Sequence, residues 1–256
     1  MSLQACAEIV QRGDPDRFLA AMAAPVPARG VLFPLYAFNM EVARAPWMAS
    51  EPMIAEMRLQ FWRDTVEEIA QGKPPRAHEV AAPLAEAIPP DCAPLLEALV
   101  VARRWDIYRD AFDDEAHFDA YLEATSGNLV WVAARALGAA PEAETPIRAL
   151  AFAAGIAGLL RAVPDLQARG RVPLLDGTGA GVRDLAERGL AKWAEGQAGR
   201  AAIARPSRAA LLALWRTKTT LVAARDLPER VIEGKLDESE FTRRGRLLLA
   251  QLRGGI

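Results

Sequence analysis

Apolar residues recur at spacings of three and four along most of this chain, the period of helices with one buried face. The clearest case is "SEPMIAEMRLQFWRDTVEEIAQGKPP", where Leu59, Trp62, Val66 and Ile69 form the stripe. Ser50 is its expected N-cap, Gly72 and Pro74 end it, and Arg63 should pair with Glu67 on the wet face. Asp14-Pro15 reads as a helix start, with the aspartate as cap and proline in the first turn. A long helix is expected over Pro27–Arg44, kinked by Pro34, and shorter ones over His78–Ala87 and Pro94–Arg109. Asp113 or Asp114 should cap a helix running to Leu137, stopped by Gly138. Pro146 opens an alanine-rich helix expected to stop at Pro164. The longest irregular stretch, "PDLQARGRVPLLDGTGAG", follows, and then helices at Val182–Ala204, Ser207–Leu227 and Glu238–Leu252. No convincing strand pair appears, so the expectation is all-α, a bundle of about ten helices forming one domain over residues 1–256.

Composition narrows the function. Hydrophobic residues are 52%, ample for a core, and abundant alanine favours helix. With 31 basic and 33 acidic residues the net charge is −2, so no global positive field exists to hold nucleic acid. Cys6 and Cys92 have neither metal-ligand spacing nor a disulfide framework, which fits a reduced cytoplasm. The start, "MSLQACAEIVQRGD", lacks the basic and apolar regions of a signal peptide. The most apolar run, Ala149–Leu160, is shorter than the roughly 20 residues a bilayer needs and reads as a buried core helix.

Four segments resemble, in order, those of the squalene/phytoene synthase family. They are "VPARGVLFPLYAFN", the Arg63–Lys73 stretch into "GKPP", "ARRWDIYRDAFDDEAHFDAYLEATSGNLVWVAARALG" and "GIAGLLRAVPDLQARGRVPLL". The resemblance implies the class I isoprenoid synthase bundle. Such enzymes join two prenyl diphosphates, with magnesium held by two facing Asp-x-x-x-Asp motifs. Carboxylates at i and i+4 share one helix face, which is why that spacing suits the metal. Carried over residue by residue, the first motif falls on Ala43 and Trp47 and the second on Ala162 and Leu166. Gly155 and Gly158 stand where the family has polar residues. The resemblance keeps Arg29, Tyr36, Tyr121, Ser126-Gly127, Arg161 and Gly170-Arg171. Of these, Arg29, Tyr36, Tyr121, Arg161 and Arg171 are the candidate remnants of a substrate site.

Other acids do not rebuild that site. Asp106, Asp110 and Asp114 lie among Arg103, Arg104 and Arg109 and read as surface ion pairs. Glu115, Asp119 and Glu123 open a helix, where acids suit the dipole. His117 reads as solvated surface, and "DGTGAG" lacks both the spacing and the strand–helix context of a dinucleotide loop. Gly155 and Gly158 read as contacts for close helix packing. "RTKTTLVAARDLPER" reads as a solvated basic face, or as a docking surface for a partner or membrane.

Within the family, the chain most resembles the non-enzymatic branch typified by a mitochondrial complex I assembly factor. That implies no catalytic residue, no metal or other cofactor, and a protein partner or membrane surface, with the protein cytoplasmic or peripheral to an inner membrane. Two rivals stand beside it: a prenyltransferase with an atypical Mg²⁺ site, and a non-catalytic binder of an isoprenoid or lipid. Three structural expectations follow. Helix Pro27–Arg44 should face Ile147–Val163 across the bundle. Trp47 should pack at the former mouth. Arg161 and Arg171 should pair with local acids such as Asp165, or face solvent.

Overall fold

The computed structural model describes residues 2–48, 51–108 and 110–253, and among them there is no β-strand. Helices α1 (Leu3–Gly13), α2 (Pro15–Ala23) and α3 (Val26–Arg44) form the first layer. The Asp14 carboxylate accepts from the Arg17 amide, so Asp14-Pro15 is the helix start the sequence predicts. Pro34 lies inside α3 and cannot bond the carbonyl one turn back, at Gly30, which is exposed and open to water.

Helix α4 (Pro52–Ala70) buries Leu59, Trp62, Val66 and Ile69, the predicted stripe. Its expected cap, Ser50, lies outside the described residues. Arg63 pairs with Glu97 at 2.9 Å rather than with Glu67, because α4 packs against α6 (Ala93–Ala102) and brings a more distant acid closer. The short helix before it, α5 (Ala81–Ala87), starts later than expected, and His78 instead sets its ring against Phe61 and Trp62. The helix expected over Pro94–Arg109 breaks after Ala102. A four-residue turn, α7 (Trp105–Tyr108), follows, and the expected end at Arg109 lies outside the described residues.

Asp114 caps α8 (Glu115–Leu122) by accepting from the His117 amide. One π-helical turn, Glu123–Gly127, joins it to α9 (Asn128–Ala136), which Gly138 ends at φ +88°, a conformation glycine adopts without strain. The central element is α10 (Glu144–Ala168). It packs against α11 (Gly179–Ala198), the π turn, α13 (Thr217–Asp226) and α9. It does not stop at Pro164; that proline sits inside it. Its extended length makes Pro141–Ala168 long and apolar enough to cross a bilayer by length and composition, with 50% of the apolar window buried. Here it is the core helix: Ile147, Leu150, Ile156 and Leu160 are fully enclosed.

Helix α11 ends at Ala198, short of the expected Ala204, and a break between α12 (Arg208–Leu211) and α13 divides the helix expected over Ser207–Leu227. After α14 (Glu229–Ile232), α15 (Glu240–Leu252) packs back onto α2. Buried apolar side chains from Cys6 to Leu247 form one contiguous cluster. Both thiols lie in it, and burial pushes each up to about 11, which leaves them unreactive near neutral pH.

Candidate functional site

A cavity of about 230 Å³ opens between α3 and α10, lined by Asn39 on one side and by Ala154, Gly155, Gly158 and Ala162 on the other. The two helices therefore do face a common space, as expected. The π turn supplies a third wall. Its Thr125 hydroxyl donates to the Tyr121 carbonyl at 2.6 Å, taking up an acceptor that the altered hydrogen-bond ladder leaves to it. Ser126 donates to the Ala151 carbonyl at 2.6 Å and ties the turn to α10. A Cβ on Gly155 would meet Ser126 Cβ at 3.0 Å, so that glycine does allow close approach. Gly158 does not: nothing lies within 4 Å, and it faces the open mouth.

The polar end of the cavity is built around Asp106. It is 5% exposed and is not a surface ion, contrary to the sequence reading. Tyr121 donates its hydroxyl to the Asp106 carboxylate at 3.0 Å. Arg103 donates to the same carboxylate at 3.2 Å and to the Tyr121 oxygen at 2.6 Å. The break after α6 turns Arg103 inward to make these bonds. Burial opposes the charge on Arg103, but Tyr121 and Asp106 outweigh it and hold its value above the ordinary one. Burial raises the Tyr121 phenol, so it stays a donor.

Arg171 completes the group. Gly170 takes φ +78° and reverses the chain at the end of α10, and the Arg171 amide donates to the Leu166 carbonyl at 2.9 Å. The Arg171 guanidinium lies 3.8 Å over the Trp105 ring, donates to the Trp105 carbonyl at 3.3 Å and approaches Asp106 at 3.6 Å. It is 4% exposed, so it does not face solvent, and the acid it approaches is Asp106. Trp105 stacks on Phe112 at 4.0 Å, and His117 packs edge-on against both rings instead of lying free in water.

The remaining predicted residues scatter. Trp47, Ala162 and Leu166 line the cavity, while Ala43 is not among the lining residues. Trp47 stays partly exposed at the rim, 5.0 Å from the Arg169 guanidinium, so it borders the mouth without filling it. Tyr36 is buried behind the wall with Arg17 5.7 Å over its ring. Arg29 lies elsewhere, on a separate groove, and donates to the Met22 carbonyl at 2.7 Å.

Arg161 lines a second cavity of about 560 Å³, which shares Arg17, Ser126, Ala154, Gly158 and Ala162 with the first as lining. It pairs with Asp16 at 3.1 Å and Asp237 at 3.5 Å, not with Asp165. Arg216 bridges the same two aspartates, and Arg243 of α15 also holds Asp16. Burial alone would raise the Asp16 carboxyl, but Arg216, Arg161 and Arg243 hold it below the usual range. Arg216 and Thr217 are buried, so the start of "RTKTTLVAARDLPER" is interior rather than a solvated face. The acids of α8 and of the π turn are also committed. Glu115 and Asp119 hold Arg188, and Glu123 is 3.4 Å from Arg148. Among the described residues, no group of three His, Cys, Asp or Glu side chains is placed to hold a metal ion.

The squalene/phytoene synthase family model matches residues 10–176. The chain belongs to that family. Among characterised relatives, human NADH dehydrogenase (ubiquinone) complex I, assembly factor 6 is 30% identical over 170 residues, covering 62% of this chain and 48% of the relative. The Drosophila melanogaster homologue of that factor is 28% identical over 177 residues, covering 66% and 53%. This chain thus spans about half the length of the curated relatives it matches. A solved dehydrosqualene synthase in complex with ligand superposes with a TM-score of 0.81 at 16% identity, covering 96% of this chain and 94% of that one. Squalene synthase HpnC from Alicyclobacillus acidocaldarius gives 0.71 at 17%, covering 88% and 93%. Those identities speak for the fold alone, the helical isoprenoid synthase fold that the sequence implies.

Sequence reasoning placed Tyr121 and Arg171 in one site but missed Arg103, Asp106 and Trp105. The local sequence hides it: Asp106 stands among Arg103, Arg104 and Arg109, a setting that reads as surface charge, and only the apolar pair Trp105 and Ile107 on either side of it points inward. No local signal marks the Asp16 group, whose arginines come from residues 161, 216 and 243.

Proposed function

We propose that this protein is a non-enzymatic member of the family that assists assembly of a membrane protein complex, on the pattern of the complex I assembly factors it resembles. One observation carries the reading. The side chains around the mouth at the aligned positions, Trp47, Ala162 and Leu166, are apolar, and Asp106, the one carboxylate lining that cavity among the described residues, is already bonded by Arg103 and Tyr121. Magnesium takes hard oxygen ligands in near-octahedral geometry. Ala43, Trp47, Ala162 and Leu166 offer none from their side chains, so the residues present do not fit that ion. Arg161 is likewise occupied by Asp16 and Asp237 and is not free to receive a diphosphate.

Incubation with farnesyl or geranylgeranyl diphosphate and Mg²⁺ is expected to give no squalene, phytoene or dehydrosqualene. Turnover near an ordinary enzymatic rate, about 1 s⁻¹ or more, would establish a prenyltransferase with an atypical metal site instead. In the native host, loss of the protein is expected to lower the amount of assembled complex I; an unchanged amount overturns the assembly half of the proposal.

A second reading, a binder of an isoprenoid or other lipid without chemistry, is favoured by the cavity itself. It stays open beside Gly158, and the neighbouring cavity that shares its wall is of the usual size for small-molecule sites. Mass spectrometry of organic extracts from the purified protein separates the two readings, since a stoichiometric lipid supports the binder and a clean extract the scaffold.

A further inference from the structure

A groove of about 500 Å³ lies on the outside of the bundle, away from the cavities described above, where the end of α2 and the start of α3 meet α12 and the end of α15. Its charged lining is Arg29, Arg205, Arg208 and Arg253, and among the described residues no Asp or Glu side chain lines it. The sequence prepares this asymmetry. Between Glu195 and Asp226 there is no acid, while Arg200, Arg205, Arg208, Arg216, Lys218 and Arg225 fall in that interval.

Arginines are normally matched in this molecule, and these are held differently. Arg29 donates to the Met22 carbonyl, and Arg208 donates to the Ile203 carbonyl at 2.8 Å and to the Arg200 carbonyl at 3.4 Å. Carbonyl partners fix the side chains without cancelling their charge. Arg200, on the same edge, donates to the Arg253 carbonyl at 3.4 Å.

The same edge is apolar. Val26 is 69% exposed and Leu252 74%, with Met22 beside them and Leu248 and Leu249 on the turn of α15 before Leu252. Aliphatic side chains standing free next to unneutralised guanidinium groups match a surface that is anionic at one depth and hydrocarbon at the next.

We infer that this face docks on an anionic phospholipid membrane, with Arg29, Arg205, Arg208 and Arg253 at the headgroup phosphates and Val26 and Leu252 entering the acyl boundary. The inference deepens the assembly reading by naming the surface through which the protein meets the membrane. Its test is scored with no assembly partner present, so either idea can fail alone.

The full chain is mixed with vesicles of phosphatidylcholine alone, or of phosphatidylcholine with phosphatidylglycerol, and sedimented. Binding is expected to the mixed vesicles only and to weaken with salt, since each basic side chain at such a surface contributes a screened attraction. The double variant R205E/R253E alters two exposed side chains and should bind at least about tenfold more weakly. R58E/R183E changes the net charge equally at exposed sites off the groove and should bind as the parent does. L252S should weaken binding severalfold with no change of charge. Failure of the parent chain to bind the mixed vesicles, equal losses in the two double variants, or undiminished binding by L252S each overturns the proposal. Thermal melts show whether the variants remain folded; if the R205E/R253E chain does not, L252S and the salt series decide.

Discussion

The arginines of the interior and those of the outer groove are the same side chain put to opposite uses. Arg103 and Arg171 meet at Asp106, and Arg161, Arg216 and Arg243 meet at Asp16. Arg29 and Arg208 meet only carbonyl oxygens. Charge taken out of water must be matched or it costs several kcal/mol; charge left at the surface need not be. The interior therefore spends its positive charge on the fold, while the groove keeps its charge available.

The most severe way to break this contrast is to remove the central carboxylate. Asp106→Asn leaves Arg103 and Arg171 without their anion in a buried site and is expected to cost about 3–5 kcal/mol in urea denaturation. Arg205→Ala, on the exposed groove, should change stability by less than about 0.5 kcal/mol. Equal effects would dissolve the distinction.

A middle-sized effect is expected at Asp16, which joins α2 to α10, α13 and α15. Asp16→Asn should cost about 2 kcal/mol, the worth of lost hydrogen bonds between charged groups. The pH dependence has a definite sign. Asp16 and Asp237 are both held below the ordinary carboxylate value in the folded state, by their arginines and against the effect of burial. Their stabilisation is complete above the unfolded value of about 3.9 and is lost as pH falls through the folded values. Melting curves between neutral pH and about pH 3 should show the parent losing more stability than D16N, with the two converging in acid. Parallel curves would mean that the arginines do not depress the Asp16 carboxyl.

The smallest effect sharpens the cavity itself. Gly158 sits in mid-helix with open space beside it, so Gly158→Ala should stabilise by up to about 1 kcal/mol. Gly155→Ala should gain less or lose, because the new methyl meets Ser126 Cβ at 3.0 Å and Leu122 at 3.2 Å. Identical gains from both would contradict the one-sided opening of the mouth.

What could be read from the sequence follows the range of the forces involved. Caps, the α4 stripe and the stop at Gly138 are local and were legible: Asp14 and Asp114 accept the amides expected of them. The all-α class and the family were legible for the same reason, through ordered helical motifs. Proline was over-read as a terminator. Pro164 costs α10 one hydrogen bond, which its core packing outweighs. Ion pairing was the least legible. Arg63 has Glu67 one turn away and chooses Glu97, and Arg243 finds Asp16 from the far end of the chain. Which acid an arginine meets is settled by helix packing, and periodicity carries no record of that.

The π turn at Glu123–Gly127 has a consequence for the length of the chain. It holds one residue more than an α turn would, so everything after Gly127 is rotated by about 100° from where a continuous α-helix would put it. Before it, Phe118, Tyr121 and Leu122 face inward; after it, Leu129 through Ala134 are all enclosed. Asn128, the first residue after the turn, donates to the Leu95 carbonyl at 3.0 Å. Spacing here is thus as restrictive as identity. A relative that gained or lost a single residue in this turn, with every other residue kept, would offer the cavity a different side of the same helix.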